Sequence, residues 1–243
     1  MELTLNIILL LVGITILVWG ANKFVDHASV LAKHLGVGDL VIGLTLIAAG
    51  TSAPEVFVGI SAVLNGNEDI AIGTAIGSNI SNIALIFGVS CLYFNAVSKT
   101  HLWNLMPFGL SVLLLGITLI DGMISFGEST GFVVLFIIFM YILMKTDGVP
   151  DEENAEVSEY TKSLFLSMVG LVGLMVGASM SVIYAEMTAE LLGIPKLIIG
   201  LTIIALGTSL PELAATIAAL KKGKHQMVVG NIIGSNILNL VFV

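Results

Sequence analysis

The chain has 243 residues, 57% of them hydrophobic and 11% charged, with a net charge of −8 and a mean hydropathy of +1.06. Soluble domains carry about 25% charged residues, so this composition excludes a soluble enzyme or nucleic-acid binder. It points to an integral membrane protein.

Apolar runs of about 20 residues, enough to cross a ~30 Å hydrocarbon core, recur near 5–31, 39–63, 70–95, 101–121, 126–145, 163–190, 196–220 and from 227 onward. They predict eight helices. The first run follows Met1-Glu2 without a basic flank, so it reads as a true span and not a cleavable signal. Trp19 and, in the fourth run, Trp103 are expected as interface anchors. The second run holds "GTSAPE" (50–55). The third holds "GSNISN" (77–82) and the lone cysteine, Cys91, which excludes an internal disulfide and reads as a small helix residue. The "NIS" at 79–81 matches a glycosylation acceptor in form only, because it lies at mid-membrane depth. Between the fifth and sixth runs, "KTDGVPDEENAEVSEYTK" (145–162) is the polar linker; its acids lack the spacing of a calcium loop. The seventh run holds "GTSLPE" (207–212), and the eighth "GSNILN" (234–239).

All nine basic residues other than histidine are lysines. With helix ends as placed, Lys23, Lys33, Lys99, Lys145, Lys162, Lys221, Lys222 and Lys224 fall on one side and Lys196 on the other. The positive-inside rule makes the lysine-rich side cytoplasmic. A multi-pass protein of the cell membrane is expected, with Met1 outside and residues 146–162 as an acidic cytoplasmic linker.

Residues 35–82 align without a gap on 192–239, an offset of 157, with about half the positions identical. Self-similarity of this kind marks an architectural repeat. The offset corresponds to five helices, an odd number, so the two copies enter the membrane from opposite sides. The expected fold is therefore all-α, an inverted-topology repeat of five transmembrane helices, with substrate near the midplane between the copies. Residues 1–145 form the first repeat. Residues 163–243 form a second, incomplete repeat of three helices, because two full copies would extend to about residue 302.

Each repeated motif puts a proline and an acid deep in an apolar run. Pro54 and Pro211 have no N–H, so the carbonyls of Gly50 and Gly207 lose their helical partners. Irregular backbone at that depth is tolerated only where protein, water or a ligand takes it up. Glu55 and Glu212 lie far from their helix ends, with no basic residue nearby in sequence. A carboxylate there costs several kcal/mol unless it is paired or solvated, so it must be protonated or neutralised by bound cations. Thr51 and Ser52 sit four and three residues before Glu55, on one helical face, as Thr208 and Ser209 do before Glu212. Ser78 and Asn82 form an i, i+4 pair that Ser235 and Asn239 repeat. The four histidines, His27, His34, His101 and His225, fall near helix ends or loops. The candidate shell is therefore purely oxygen, which suits Ca²⁺ or Na⁺ and not zinc or copper.

Through "GTSAPE…GSNISN" and "GTSLPE…GSNILN", the chain resembles the cation/calcium antiporter superfamily, specifically its sodium/calcium exchanger branch. The resemblance covers roughly 36–95 and 193–243. It implies ten helices in inverted halves and exchange of several Na⁺ for one Ca²⁺. It also implies alternating access by sliding of the first and sixth helices, with the two ions and the bilayer as partners and no cofactor. A monomeric transport unit is expected. Carried over by position, the family's ligands fall on Ala48 (carbonyl), Thr51, Ser52, Glu55, Ser78 and Asn82, and on Ala205 (carbonyl), Thr208, Ser209, Glu212, Ser235 and Asn239. Potassium-dependent relatives carry an aspartate where this chain has Asn239, which argues against potassium co-transport. Two alternatives stay open at this point: Ca²⁺/H⁺ antiport, against which Thr51 and Thr208 argue, and an uncoupled cation channel. No nucleophile–base pair suggests an enzyme.

Overall fold

The computed structural model describes residues 2–93, 109–110, 113, 116, 126–146, 157–199, 202–203 and 205–242. Among the described residues the regular structure is all helical: α1 (Glu2–His34), α2 (Asp39–Thr51), α3 (Ala53–Leu64), α4 (Glu68–Ser81), α5 (Phe126–Thr146), α6 (Val157–Leu191), α7 (Leu210–Lys221) and α8 (His225–Phe242). A π-helical segment, Asn82–Phe87, carries α4 on into Gly88–Tyr93, and two short pieces, Lys196–Ile199 and Ala205–Gly207, precede α7. Glu2–His34, Ala71–Leu92 and Tyr160–Leu191 are long and apolar enough to cross a membrane unbroken, and α2 with α3 makes a fourth span bent by 52°. Most of the expected span at 101–121, Trp103 included, and most of the linker lie outside the described residues.

The two halves use the same turns. Gly36, Gly66, Gly193 and Gly223 all have positive φ, between 63° and 74°, and the last two stand 157 residues beyond the first two. Each closes a helix with the same long-range amide bond: Val37 to Ala32, Asn67 to Ala62, Ile194 to Ala189 and Lys224 to Ala219, at 2.8 to 3.0 Å. This glycine-dependent cap satisfies the last carbonyls and turns the chain tightly into the next helix.

Helices α1 and α6 run antiparallel with their backbones in contact. A Cβ on Gly20 would strike the backbone of Leu174, one on Gly177 the backbone of Leu17, and one on Gly170 would lie 2.5 Å from the Phe24 nitrogen. In lipid, where helices gain nothing from hiding apolar surface from water, such small-residue seams let dispersion contacts hold them together. The α1–α6 pair meets α7 across small and aliphatic side chains, with Leu17, Ala21, Phe24 and Ala28 clustered against Ala215, Ala218 and Ala219. The outward face of α1 carries exposed Leu5, Ile8, Leu11 and Trp19, as a lipid-facing surface should.

Helix α8 is the most enclosed element, buried almost continuously from Met227 to Leu240. Its Gly230 sits against the Leu40 carbonyl, and a Cβ on Gly234 would lie 2.5 Å from the Leu44 carbonyl oxygen, so α8 crosses α2 at backbone distance. At one end of the bundle, Lys222 pairs with Asp26 at 2.5 Å and Lys224 with Asp39 at 2.9 Å. At the other end Lys196 lies 3.4 Å from Glu190. Lys222 and Lys224 belong to the lysine-rich side expected from sequence, and Lys196 to the opposite one.

The seam makes a differential prediction. Gly20→Ala should lower stability by about 1–3 kcal/mol through overpacking, read as a lower melting temperature in detergent. Gly73→Ala, where a Cβ meets nothing within 4 Å, should leave it unchanged or slightly raised.

Candidate cation site

Both breaks have the same backbone geometry. Ser52 (φ −83°, ψ 0°) joins α2 to α3, and Ser209 (φ −89°, ψ 7°) caps α7; each following helix carries its proline in the first turn. The Ser52 amide still bonds the Ala48 carbonyl at 2.9 Å, while Val56 and Leu213 bond back to Ser52 and Ser209 at 3.1 Å. Proline is tolerated there because a helix's first N–H groups need no intrahelical partner. Each break thus begins a fresh helix inside the membrane, and Glu55 and Glu212 both stand in its first turn. The positive end of the helix dipole favours a carboxylate at that place.

The breaks meet. Glu55 and Glu212 are each 2% exposed. Ser52 Oγ donates to Glu212 Oε1 at 3.0 Å, across 160 residues of chain. The Thr51 hydroxyl lies 3.3 Å from both the Ala48 carbonyl and Asn231 Oδ1, which share its single proton. Asn239 Nδ2 donates to Asn79 Oδ1 at 3.3 Å, joining α8 to α4. Ser78, Asn82 and Ser235 are buried on these helices, and Asn82 opens the π-helical segment.

Several buried atoms at this junction have no protein partner: Glu55 Oε2, Glu212 Oε2, Asn82 Oδ1 and Nδ2, Ser209 Oγ, Ser235 Oγ and Asn239 Oδ1. Six of these seven are oxygens of residues picked out from the sequence. Buried oxygens in such number are expensive unless something satisfies them together, and a hard cation of six to eight oxygen ligands does so. Thr208 differs from its mate Thr51. It is exposed, and with Pro54, Pro211 and α6 residues Ser179 and Val182 it lines a cleft of about 380 Å³ that reaches the junction. Ala205 lies in the short Ala205–Gly207 helix just before the second break.

Sequence reasoning missed Asn231. Its Nδ2 donates to Thr216 Oγ1 at 3.1 Å and to the Glu212 carbonyl at 3.4 Å, while its Oδ1 faces Thr51, so one amide touches both breaks. Its mate in the first half is Thr74, so a search for repeated residue types passes over it. Asn79 and Asn236 were also passed over, although their repetition within "GSN" was a usable signal.

A family model described as "Sodium/calcium exchanger protein" matches residues 5–145 and 162–243. The chain is 38% identical to the inner membrane protein YrbG of Escherichia coli, covering 97% of this chain and 77% of that one. It is 32% identical to the sodium/calcium exchanger MaX1 of Methanosarcina acetivorans, covering 99% and 82%. The structure of a sodium/calcium exchanger from Methanococcus jannaschii superposes with a TM-score of 0.86 at 35% identity, covering 98% of this chain and 79% of that one.

Asn231→Leu should remove the bonds that tie the two breaks, lowering stability by roughly 1–3 kcal/mol. Thermal denaturation in detergent against Thr15→Val, which breaks a single exposed bond on α1, checks that figure.

Proposed function

The chain belongs to the sodium/calcium exchanger family, and from that premise we propose that Glu55 and Glu212 are the charged ligands of one mid-membrane oxygen site, occupied in turn by Ca²⁺ and Na⁺. The observation that carries this reading is the meeting of two buried carboxylates, each with a free oxygen, among unpartnered oxygens of Asn82, Ser209, Ser235 and Asn239. Thr51, Ser52, Ser78 and Thr208, with the carbonyls of Ala48 and Ala205, complete the candidate set.

The charge count explains coupling. Two carboxylates neutralise one Ca²⁺ or two Na⁺, and in a low-dielectric interior an uncompensated charge is strongly disfavoured. Neither ion set is stable beside the other, and the empty site, with its two carboxylates repelling, is a poor state in which to cross. Exchange therefore proceeds only with one load or the other. Asn239, an amide, adds an oxygen without a third charge.

Alternating access requires a body that moves over the site. The α1–α6 pair supports that role. Its backbone seam makes it one unit, and it meets α7 over alanine and leucine surfaces that can slide without breaking a hydrogen-bond ladder. The break glycines lie against it, Gly50 beside Phe24 and Leu171, and Gly207 beside Val182. In this reading the halves are inverted repeats, the N-terminus is outside, residues 146–162 are a cytoplasmic connector, and a cell membrane holds a monomeric transport unit with no cofactor beyond the transported ions.

Ca²⁺ uptake into proteoliposomes tests the proposal. Uptake should require Na⁺ inside the vesicle; uptake driven equally by internal K⁺ or by acid would overturn Na⁺ coupling. Glu55→Gln and Glu212→Gln should each reduce it at least a hundredfold, since removing one partner's charge leaves the cation uncompensated; wild-type flux in either would sink the site assignment. Replacing the acids between 151 and 159 with their amides should change it less than twofold, as expected for solvated charges on a connector.

A further inference from the structure

Two asparagines outside the proposed ligand set have roles of their own, and the inference rests on the reading above. The amide of Asn239 has two chemically opposite ends. Its oxygen has no protein partner, while its Nδ2 donates to Asn79 Oδ1 at 3.3 Å. A cation binds only the oxygen and repels the N–H₂ group, so an acceptor must hold the nitrogen end for the oxygen to face the ion. Asn79 is that acceptor.

An offset of 157 maps Asn239 onto Asn82 and Asn236 onto Asn79. The mate of the Asn239–Asn79 bond is therefore one from Asn82 to Asn236, and it is not made. Both residues are 1% exposed; Asn82 Nδ2 has no acceptor and Asn236 Oδ1 has no donor. A buried donor and a buried acceptor stand unused on two helices that pack together, at the positions whose mates are bonded. The hydroxyls repeat the asymmetry. Ser52 bonds Glu212, while its mate Ser209 leaves Oγ unpartnered. Both asymmetries have the same sense, with one of two symmetry-related bonds closed and the other open.

We infer that Asn79 and Asn236 are positioning residues, each holding the N–H end of the opposite repeat's ligand amide so that its oxygen faces the cation. The Asn79–Asn239 clasp is closed in this conformation, and the Asn236–Asn82 clasp closes in its place when the site opens to the other face. The unsatisfied pair in one state is the satisfied pair in the other, so the orphaned groups are never both lost at once.

The test measures Ca²⁺ dependence separately at each membrane face, in oriented proteoliposomes of wild type, Asn79→Leu and Asn236→Leu. Leucine keeps the branching and heavy-atom count of asparagine and removes the acceptor. Asn79→Leu should raise KM for Ca²⁺ roughly tenfold at one face with little change at the other, and Asn236→Leu should do the converse. An equal rise at both faces, or no rise in either variant, would overturn the inference, since a merely structural role has no sidedness. If a leucine variant does not fold, Asn79→Ser and Asn236→Ser, whose hydroxyls are too short to span the gap, are read in the same way. Wild-type exchange tests the reading on which this rests. If wild type does not exchange, equilibrium ⁴⁵Ca²⁺ binding in detergent still tests the amides. Asn79→Leu should then bind about tenfold more weakly than Asn236→Leu, and equal affinities would overturn the inference.

Discussion

Two carboxylates are buried inside a membrane protein, and the nearest lysines along the chain to Glu212, Lys196 and Lys221, lie 16 residues before it and nine after it. The rest of the architecture answers that constraint. The helix breaks put each acid at a positive helix end, and the second repeat brings Ser52 against Glu212. Backbone-close packing of α8 on α2 and of α1 on α6 excludes lipid from the junction. None of these devices neutralises two charges, which is why the surrounding oxygens matter. In the proposed reading, a site that leaves so many buried acceptors unpartnered is completed by a cation.

The halves are copies locally and not globally. Four glycine turns and two serine breaks repeat to within about 11° (Gly36 at 63° against Gly193 at 74° is the widest), because each is fixed by residues a few positions apart. The contacts between halves differ: Thr51 is buried against Asn231 while Thr208 opens onto a cleft. The ends of the bundle are unequal already in sequence. Asp26, Asp39, Lys222 and Lys224 form ion pairs, whereas their mates are Ile183, Lys196, Asn65 and Asn67.

Much of this was legible in the sequence because a membrane converts polarity into information. An acid or proline in an apolar run is costly wherever it falls, so finding both twice in register identified the breaks and the residues to examine around them. Three helix spans and the bent α2–α3 span followed from run length. What stayed hidden has a common physical cause. Asn231 acts through contacts with Thr51, Thr216 and Glu212 that no spacing encodes, and its mate is a different residue type. Asn79 was legible as a repeated residue, but its role depends on which helix α4 faces. The π-helical segments at Gly43–Ile47 and Asn82–Phe87 carry no compositional mark, since one extra residue in a turn is a response to packing. Glycines gave a mixed signal. Gly20 and Gly73 look alike in sequence, yet one is pressed on a neighbouring backbone and the other faces open space.

The α1–α6 seam also bears on how the protein is made. Phe24 rests on Gly170, a residue synthesised 146 positions later. At ordinary translation speeds that gap lasts on the order of 10–30 s. For that time the first helix is in the bilayer with its glycine stripe facing lipid, before the helix that fits it has been threaded. Its length of 33 residues and its leucine-rich outer surface keep it there without a partner, so insertion and assembly are separate events in time, and the seam waits until α2 to α5 have been made.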